Sequence, residues 1–349
     1  MSTRQRLHEI DYLRGIACLA VVAFHYLSRG PRAGWMEDAL YPGLEAIARY
    51  GYLGVHLFFI ISGFVILYSA QEASPRSFFA SRAARLYPAF WVAATLTAVI
   101  VWLSGDSRFA VSPAHYMLNL TMFPHWFGVP YVDGAYWSLA CELHFYIGVW
   151  LVLRCGLLHR IEWLLAAWLM VSLINAVRPM WPMEFWLNAK WAPLFAAGCI
   201  FFLIRRGGLN RARGALLAFA YGLALHYAVV EAHSASNIHS PAIVIGIVSS
   251  FFAVCLYGAL RPPQGLAWPG ASLIGALTYP LYVLHQNMGY VLYEKARSLS
   301  GHPVLSLLGV TLLILFLAWL IHRAIEIPLG PRLRRLLSAS PTLKPQGAA

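Results

Sequence analysis

The sequence predicts an all-α polytopic membrane protein of about ten transmembrane helices with both termini in the cytoplasm. Three observations carry that prediction. The 349 residues are 60% hydrophobic and 11% charged, with a mean hydropathy of +0.62, whereas a soluble domain carries about 25% charged residues. Apolar runs able to cross ~30 Å of hydrocarbon fall near 10–28, 50–70, 83–104, 134–154, 162–177, 189–205, 214–230, 240–260, 271–293 and 303–325. Threading those runs from a cytoplasmic N-terminus puts 17 of the 26 Lys and Arg residues inside and 8 outside, with Arg14 in the first helix. Such a bias toward positive inner segments is the usual orienting signal.

The first run, IDYLRGIACLAVVAFHYLS, is of full spanning length and lacks a small-residue cleavage pattern, so it reads as an uncleaved anchor. Arg14 and His25 are eleven residues apart, a rotation of about 1100°, or roughly 20° past three turns, which puts both on one stripe ~16 Å apart. An arginine at mid-membrane costs ~2.5–3.5 kcal/mol on insertion scales, so the pair is expected to face a bundle interior or a wet cavity. Asp11 lies ~21 Å from His25 along the axis and is expected beside Arg14 or at the cytoplasmic entrance.

The outer segment 29–49, with Trp35, Glu37, Asp38 and Glu45, reads as a wall of an acceptor site or as an ordinary connection. In the second run Gly51, Gly54, Ser62 and Gly63 permit close helix approach, and His56 suits a hydrogen bond to a neighbour. Arg82 and Arg85 open the third run on one helical face; two guanidiniums so placed clamp a phosphate or anchor the helix at the inner boundary. The longest connection, 105–133, holds a half-length apolar stretch at 112–128, expected to be interfacial or re-entrant.

The fourth run begins YWSLACELHFY and places Ser138, Glu142 and Tyr146 on one face. Glu142 needs a histidine or arginine from another helix, or serves as structural glue. The ninth run carries Tyr279, Tyr282 and His285 at steps of three, a hydrogen-bonding stripe or an aromatic packing stripe. Residues 1–330 form one domain without internal repeats, and 331–349 are expected to be a disordered cytoplasmic tail.

Several function classes are excluded or disfavoured. The net charge of +12 reflects topology and anionic-lipid contact, and no nucleic-acid partner is expected. Cys18, Cys141, Cys155, Cys199 and Cys255 lie in or beside apolar runs as small packing residues. No metal is expected, because no HxxxH or paired-cysteine spacing occurs, and no Gly-rich nucleotide loop occurs either.

Five ordered segments, DYLRGIACLAVVAFHY at 11–26, GVHLFFIISGF at 54–64, RAARLYP at 82–88, YWSLACELHFY at 136–146 and TYPLYVLH at 278–285, together resemble the membrane acyltransferase-3 family. The resemblance implies a multi-pass enzyme of the inner (plasma) membrane that O-acylates envelope or exported glycans from cytoplasmic acyl-CoA, acetyl-CoA in the simplest case. It carries the family's arginine and histidine onto Arg14 and His25, its arginine pair onto Arg82 and Arg85, and its tryptophan, serine and glutamate onto Trp137, Ser138 and Glu142. Thr278 stands where a serine often opens the last motif. Some members carry an extra C-terminal hydrolase-like domain, so a second acyl-transfer protein is a candidate partner beside membrane lipid, acyl-CoA and a glycan or lipid-linked glycan.

The mechanism implied is a donor held by Arg14, Arg82 and Arg85 and a hydroxyl acceptor deprotonated by His25, with Glu142 expected to orient His25. Asp11, Trp137, Ser138, Tyr146, Tyr282 and His285 are supporting candidates. No permanently bound cofactor is implied, acyl-CoA being a co-substrate. The rival reading is a proton-coupled transporter or flippase, since Arg, His and Glu on different helices also make a proton relay. Against it stand the arginine doublet, which suits phosphate, and the lack of repeat symmetry.

Overall fold

Hydrocarbon cannot hydrogen-bond a backbone, so a long apolar run settles as a helix that satisfies its own amides. The computed structural model describes residues 8–36, 42–234, 239–261 and 270–339, and over these the chain is helical with no strand. Arg4, Arg6, Glu37, Asp38 and residues 340–349 lie outside the described residues. The principal helices are α1 (His8–Phe24), α2 (Gly54–Ala70), α3 (Pro75–Ser104), α4 (Tyr136–Arg154), α5 (Ile161–Val177) and α6 (Ala192–Gly207). They continue with α7 (Arg211–Ser234), α8 (Pro241–Leu260), α9 (Ala271–Leu284), α10 (Asn287–Ser300), α11 (Pro303–Ile321) and α12 (Ile327–Ser338).

Among the described residues nine helical segments are long and apolar enough to span a membrane. The apolar α9 has only 14 residues, about 21 Å at 1.5 Å per residue, short of a full crossing by itself. The stretch 112–128 does not span: it forms the short helix Pro113–Asn119 and a 3₁₀ turn, Pro124–Phe127.

α2 packs closely on α6, and glycine makes the approach possible. A side chain at Gly63 would run into the Phe195 carbonyl oxygen, and one at Gly198 into that of Ile60. Cys199 Sγ donates to Gly63 O at 3.4 Å within the same contact. Gly51 and Gly54 do the same for the approach to α1, whereas Ser62 turns toward α4. On its other side α1 packs on α9, where Gly275 leaves room for Asp11.

Two sequence expectations are corrected. The run 271–293 is two helices, broken at His285–Gln286, where Gln286 adopts φ −79° and ψ −84°. The break holds because other side chains take up its backbone groups. Tyr136 Oη donates to Val283 O at 2.9 Å and Tyr26 Oη to His285 O at 2.6 Å, while Asp133 accepts from Asn287 N at 2.8 Å. The second correction concerns the expected tail: 331–338 continue as helix α12. That helix is amphipathic and lies along α3, tied by Arg76 to the carbonyls of Leu337 and Ala339.

Gly63→Ala is expected to force α2 off α6 and lower stability by about 1–3 kcal/mol, the usual range for overpacking. The measurement is the thermal unfolding midpoint in detergent. Gly222→Ala, in α7 with nothing within 4 Å of an added methyl, is the control and should leave the midpoint unchanged or higher.

Candidate active site

A cavity of about 1110 Å³ opens between α1, α2, α3, α4, α9 and α12. Its lining includes Arg82 and Arg85 of α3, Arg334 and Arg335 of α12, and Arg14 of α1. Five guanidiniums therefore meet one space that also takes in Asp11, Glu142 and Glu326. Glu326 sits in a π-helical turn, His322–Glu326, between α11 and α12, where it lies 3.6 Å from Arg85 and 2.7 Å from His322 Nδ1. Arg82 donates to Ser81 Oγ at 3.0 Å and bonds Tyr146, and its Nε is buried with no hydrogen-bond partner among the described residues. With more cations than carboxylates, the space suits a polyanion.

The face expected on α4 is present and looks into this cavity. Ser138, Glu142 and Tyr146 all line it. Glu142 Oε1 accepts from Ser62 Oγ at 2.6 Å and from Tyr146 Oη at 2.5 Å, and its charge is felt by Arg14 and Arg82 across the cavity. The expectation that Glu142 orients His25 is therefore corrected: its carboxylate is held by Ser62 and Tyr146 in the cavity with the arginines, which His25 does not line. Trp137, on the opposite face of α4, stacks in an aromatic layer with Trp191 and Phe59 and does not line the cavity.

Ser138 and Tyr282 also line the cavity, and their hydroxyls lie 2.7 Å apart. Ser138 also donates to Ala135 O at 3.0 Å. One ring layer farther on are His285, 5.5 Å from the Tyr282 ring centroid, and His25, 4.9 Å from His285. Both histidines are buried, and neither lines the cavity. His25 opens a π-helical turn, His25–Arg29, the local irregularity that helices often carry at functional positions. Its Nδ1 lies 2.9 Å from Val21 O and 3.0 Å from His285 Nε2, and His285 Nδ1 lies 2.7 Å from Tyr282 O. His56 is elsewhere, packed on Trp191 and 3.7 Å from Glu231.

Residues 7–323 match the family model described as an acyltransferase domain, acyltransferase family 3. The chain belongs to that family. It is 25% identical over 369 residues to the acyltransferase MdmB of Streptomyces mycarofaciens, covering 93% of this chain and 91% of that one. It is 28% identical over 169 residues to the peptidoglycan O-acetyltransferase OatA of Listeria monocytogenes, covering 42% of this chain and 24% of OatA. No solved structure matches. Membership in an acyltransferase family favours the enzyme over the transporter or flippase reading.

Several residues of this acyltransferase site escaped sequence reasoning. Arg334 and Arg335 read as inner-side anchors, although the amphipathic pattern PRLRRLLS was a signal for a helix with an arginine face. Ser62 read as a packing residue, and its bond to Glu142 joins positions 80 apart in sequence. Asp133 lies just before α4, fully buried, accepting from Ala135 N at 2.9 Å and Asn287 N at 2.8 Å. Burial pushes its carboxyl up to about 7, against the downward pull of the two amides.

A raised carboxyl value means that the folded chain keeps a proton which the unfolded chain gives up near pH 4. Stability through Asp133 thus falls as pH rises from about 4 to about 7 and is level above that window. The unfolding midpoint in detergent should be higher at pH 5.5 than at pH 7.5, and Asp133→Asn, which cannot titrate, should shrink that difference while lowering both midpoints. An unchanged difference would remove Asp133 from the pH response.

Proposed function

We propose that this acyltransferase moves an acyl group, acetyl in the simplest case, from cytoplasmic acyl-CoA to a hydroxyl of a cell-envelope or exported glycan, as a multi-pass protein of the inner (plasma) membrane. The observation that carries the reading is one cavity that joins five arginines to the Ser138–Tyr282 hydroxyl pair, a ring layer short of His25. The naming of a relative as a peptidoglycan O-acetyltransferase supports O-acetylation of a glycan. The Lys and Arg bias of the sequence supports placing the arginine end in the cytoplasm.

An acyl-CoA is polar in the same sense as the cavity, with phosphates at one end, an uncharged arm and a thioester at the other. A volume of about 1110 Å³ is just above the usual ~300–1,000 Å³ of small-molecule sites and has room for so long a donor. Arg82 and Arg85 offer forked donors to the phosphates, Arg14 continues the positive wall inward, and Arg334 and Arg335 extend it at the mouth. Glu142 and Asp11 offset part of that charge when no donor is bound.

The thioester then lies by Ser138 and Tyr282, and the acceptor hydroxyl approaches His25 from the far side. The Tyr282 ring separates the two, so it swings aside for reaction. His25 takes the hydroxyl proton as the oxygen attacks the thioester carbonyl. The C–S bond breaks, and the thiolate leaves with the proton from His25 as free thiol.

Radiolabelled acetyl-CoA and purified protein in liposomes with a soluble glycan acceptor test the division of labour. His25→Ala should bind donor like wild type and lose about 10²–10⁴-fold in transfer. Arg14→Ala should raise KM for acetyl-CoA about ten- to a hundredfold, the loss of one charge-assisted hydrogen bond, and Arg334→Ala/Arg335→Ala at least as much. They should leave the KM of acetyl-pantetheine, which lacks those phosphates, near wild type. Full transfer by His25→Ala, or no consumption of acetyl-CoA by the wild type, would overturn the reading.

A further inference from the structure

We propose that His285 is the positioning residue of this enzyme, joining Val21 O in holding the Nδ1–H of His25 so that its Nε2 lone pair takes the acceptor proton. The inference rests on the reading of His25 as the general base and adds the group through which that base is set.

The assignment follows from which atoms can only accept. A carbonyl oxygen has no proton to give. His285 Nδ1, 2.7 Å from Tyr282 O, therefore carries the proton, and His25 Nδ1, 2.9 Å from Val21 O, carries one too. The 3.0 Å between His25 Nδ1 and His285 Nε2 cannot hold two protons pointing at each other. His285 Nε2 must then present its lone pair, and the Nδ1–H of His25 is shared in a fork between Val21 O and His285 Nε2. A neutral imidazole has one N–H, so the lone pair of His25 is on Nε2.

Tyr282 O, His285 and His25 thus form one chain of donors and acceptors running in a single direction. Each bond polarises the next, and the chain ends at the base. When His25 gains the acceptor proton, the positive charge is shared along the bond to His285 Nε2. A carboxylate does this work in hydrolase triads, but a carboxylate in this fully buried place would add an uncompensated charge. A neutral histidine supplies the acceptor without one.

The backbone break serves this arrangement. Residues 282–285 end α9, so the Tyr282 carbonyl is one of the terminal carbonyls of a helix and is open to a side-chain donor. Tyr26 Oη, seated over Gly289, holds the His285 carbonyl at 2.6 Å and fixes the residue's backbone. The other ionisable groups around the pair among the described residues include Tyr282, Arg29, Tyr26, Tyr290 and Asp133. None of the described bonds joins their side chains to a ring nitrogen of His25 or His285.

Two amide variants separate the ring nitrogens of His285. His285→Gln puts an acceptor oxygen where Nε2 was, whereas His285→Asn reaches only the place of Nδ1. With acetyl-CoA and a soluble acceptor, Gln should keep kcat within about tenfold of wild type and Asn should lose about 10²–10⁴-fold, the range of a general base. KM for acetyl-CoA should stay near wild type in both. In ¹⁵N-histidine-labelled protein, with His25 assigned by difference from His25→Ala, the ring shifts should report Nδ1–H throughout, with its proton resonance near wild type in Gln and moved upfield in Asn, where Val21 O alone accepts it.

A wild-type spectrum with His25 protonated on Nε2 overturns the proposal without any variant. So does an Asn variant equal to Gln in kcat, or one that leaves the Nδ1–H proton resonance of His25 unmoved. These outcomes are distinct from failure of the base itself: full transfer by His25→Ala would sink the general-base reading. An inactive His25→Ala with indistinguishable His285 variants would sink only the role given to His285.

Discussion

A helix interrupted within a membrane bundle leaves carbonyls and amides that lipid cannot satisfy, and the His285–Gln286 junction persists only because neighbouring side chains take them. Tyr136, Tyr26 and His285 itself donate to the last carbonyls of α9, and Asp133 accepts from the first amide of α10. The bonds that make the break tolerable also aim the His285 ring at His25. The histidine end of the site is thus a consequence of backbone satisfaction, with the catalytic candidates as some of the groups that meet the demand.

Charge shapes the other half. An arginine inside a membrane protein is tolerated when it faces water or a counter-charge, and here Arg14, Arg82, Arg85, Arg334 and Arg335 share a cavity with Asp11, Glu142 and Glu326. The carboxylates offset some of the repulsion and leave a positive excess for an anion. Glu142 belongs to this balance through Arg14, Arg82, Ser62 and Tyr146. The two halves meet at the Ser138–Tyr282 pair, which closes the cavity toward the histidines.

Much of this was legible in the chain. Arg14 and His25 share a stripe because α1 is regular up to Phe24 and irregular only from His25 on. Ser138, Glu142 and Tyr146 share a face because α4 is unbroken, and Arg82 and Arg85 open into the same space as Arg14. The partner of His25 was not legible, because it is 260 positions away, on a helix whose end is set by contacts from three other segments. The helical end of the chain was missed for a related reason. Charge density in PRLRRLLS resembles a solvated tail until α3 supplies a surface, with Arg76 tying down its last carbonyls.

By itself the sequence determined the class of structure, the approximate number of spans and which ionisable side chains lie on common helical faces. Hydropathy, charge bias and helical period are local properties that need no knowledge of neighbours. Only the tertiary structure decided which faces meet: α1 against α9, α12 along the cavity, and Glu142 in one space with the arginines and apart from His25. Proton positions on the two histidines depend on distances of a few ångströms between carbonyls and rings on separate helices, and packing alone sets those distances.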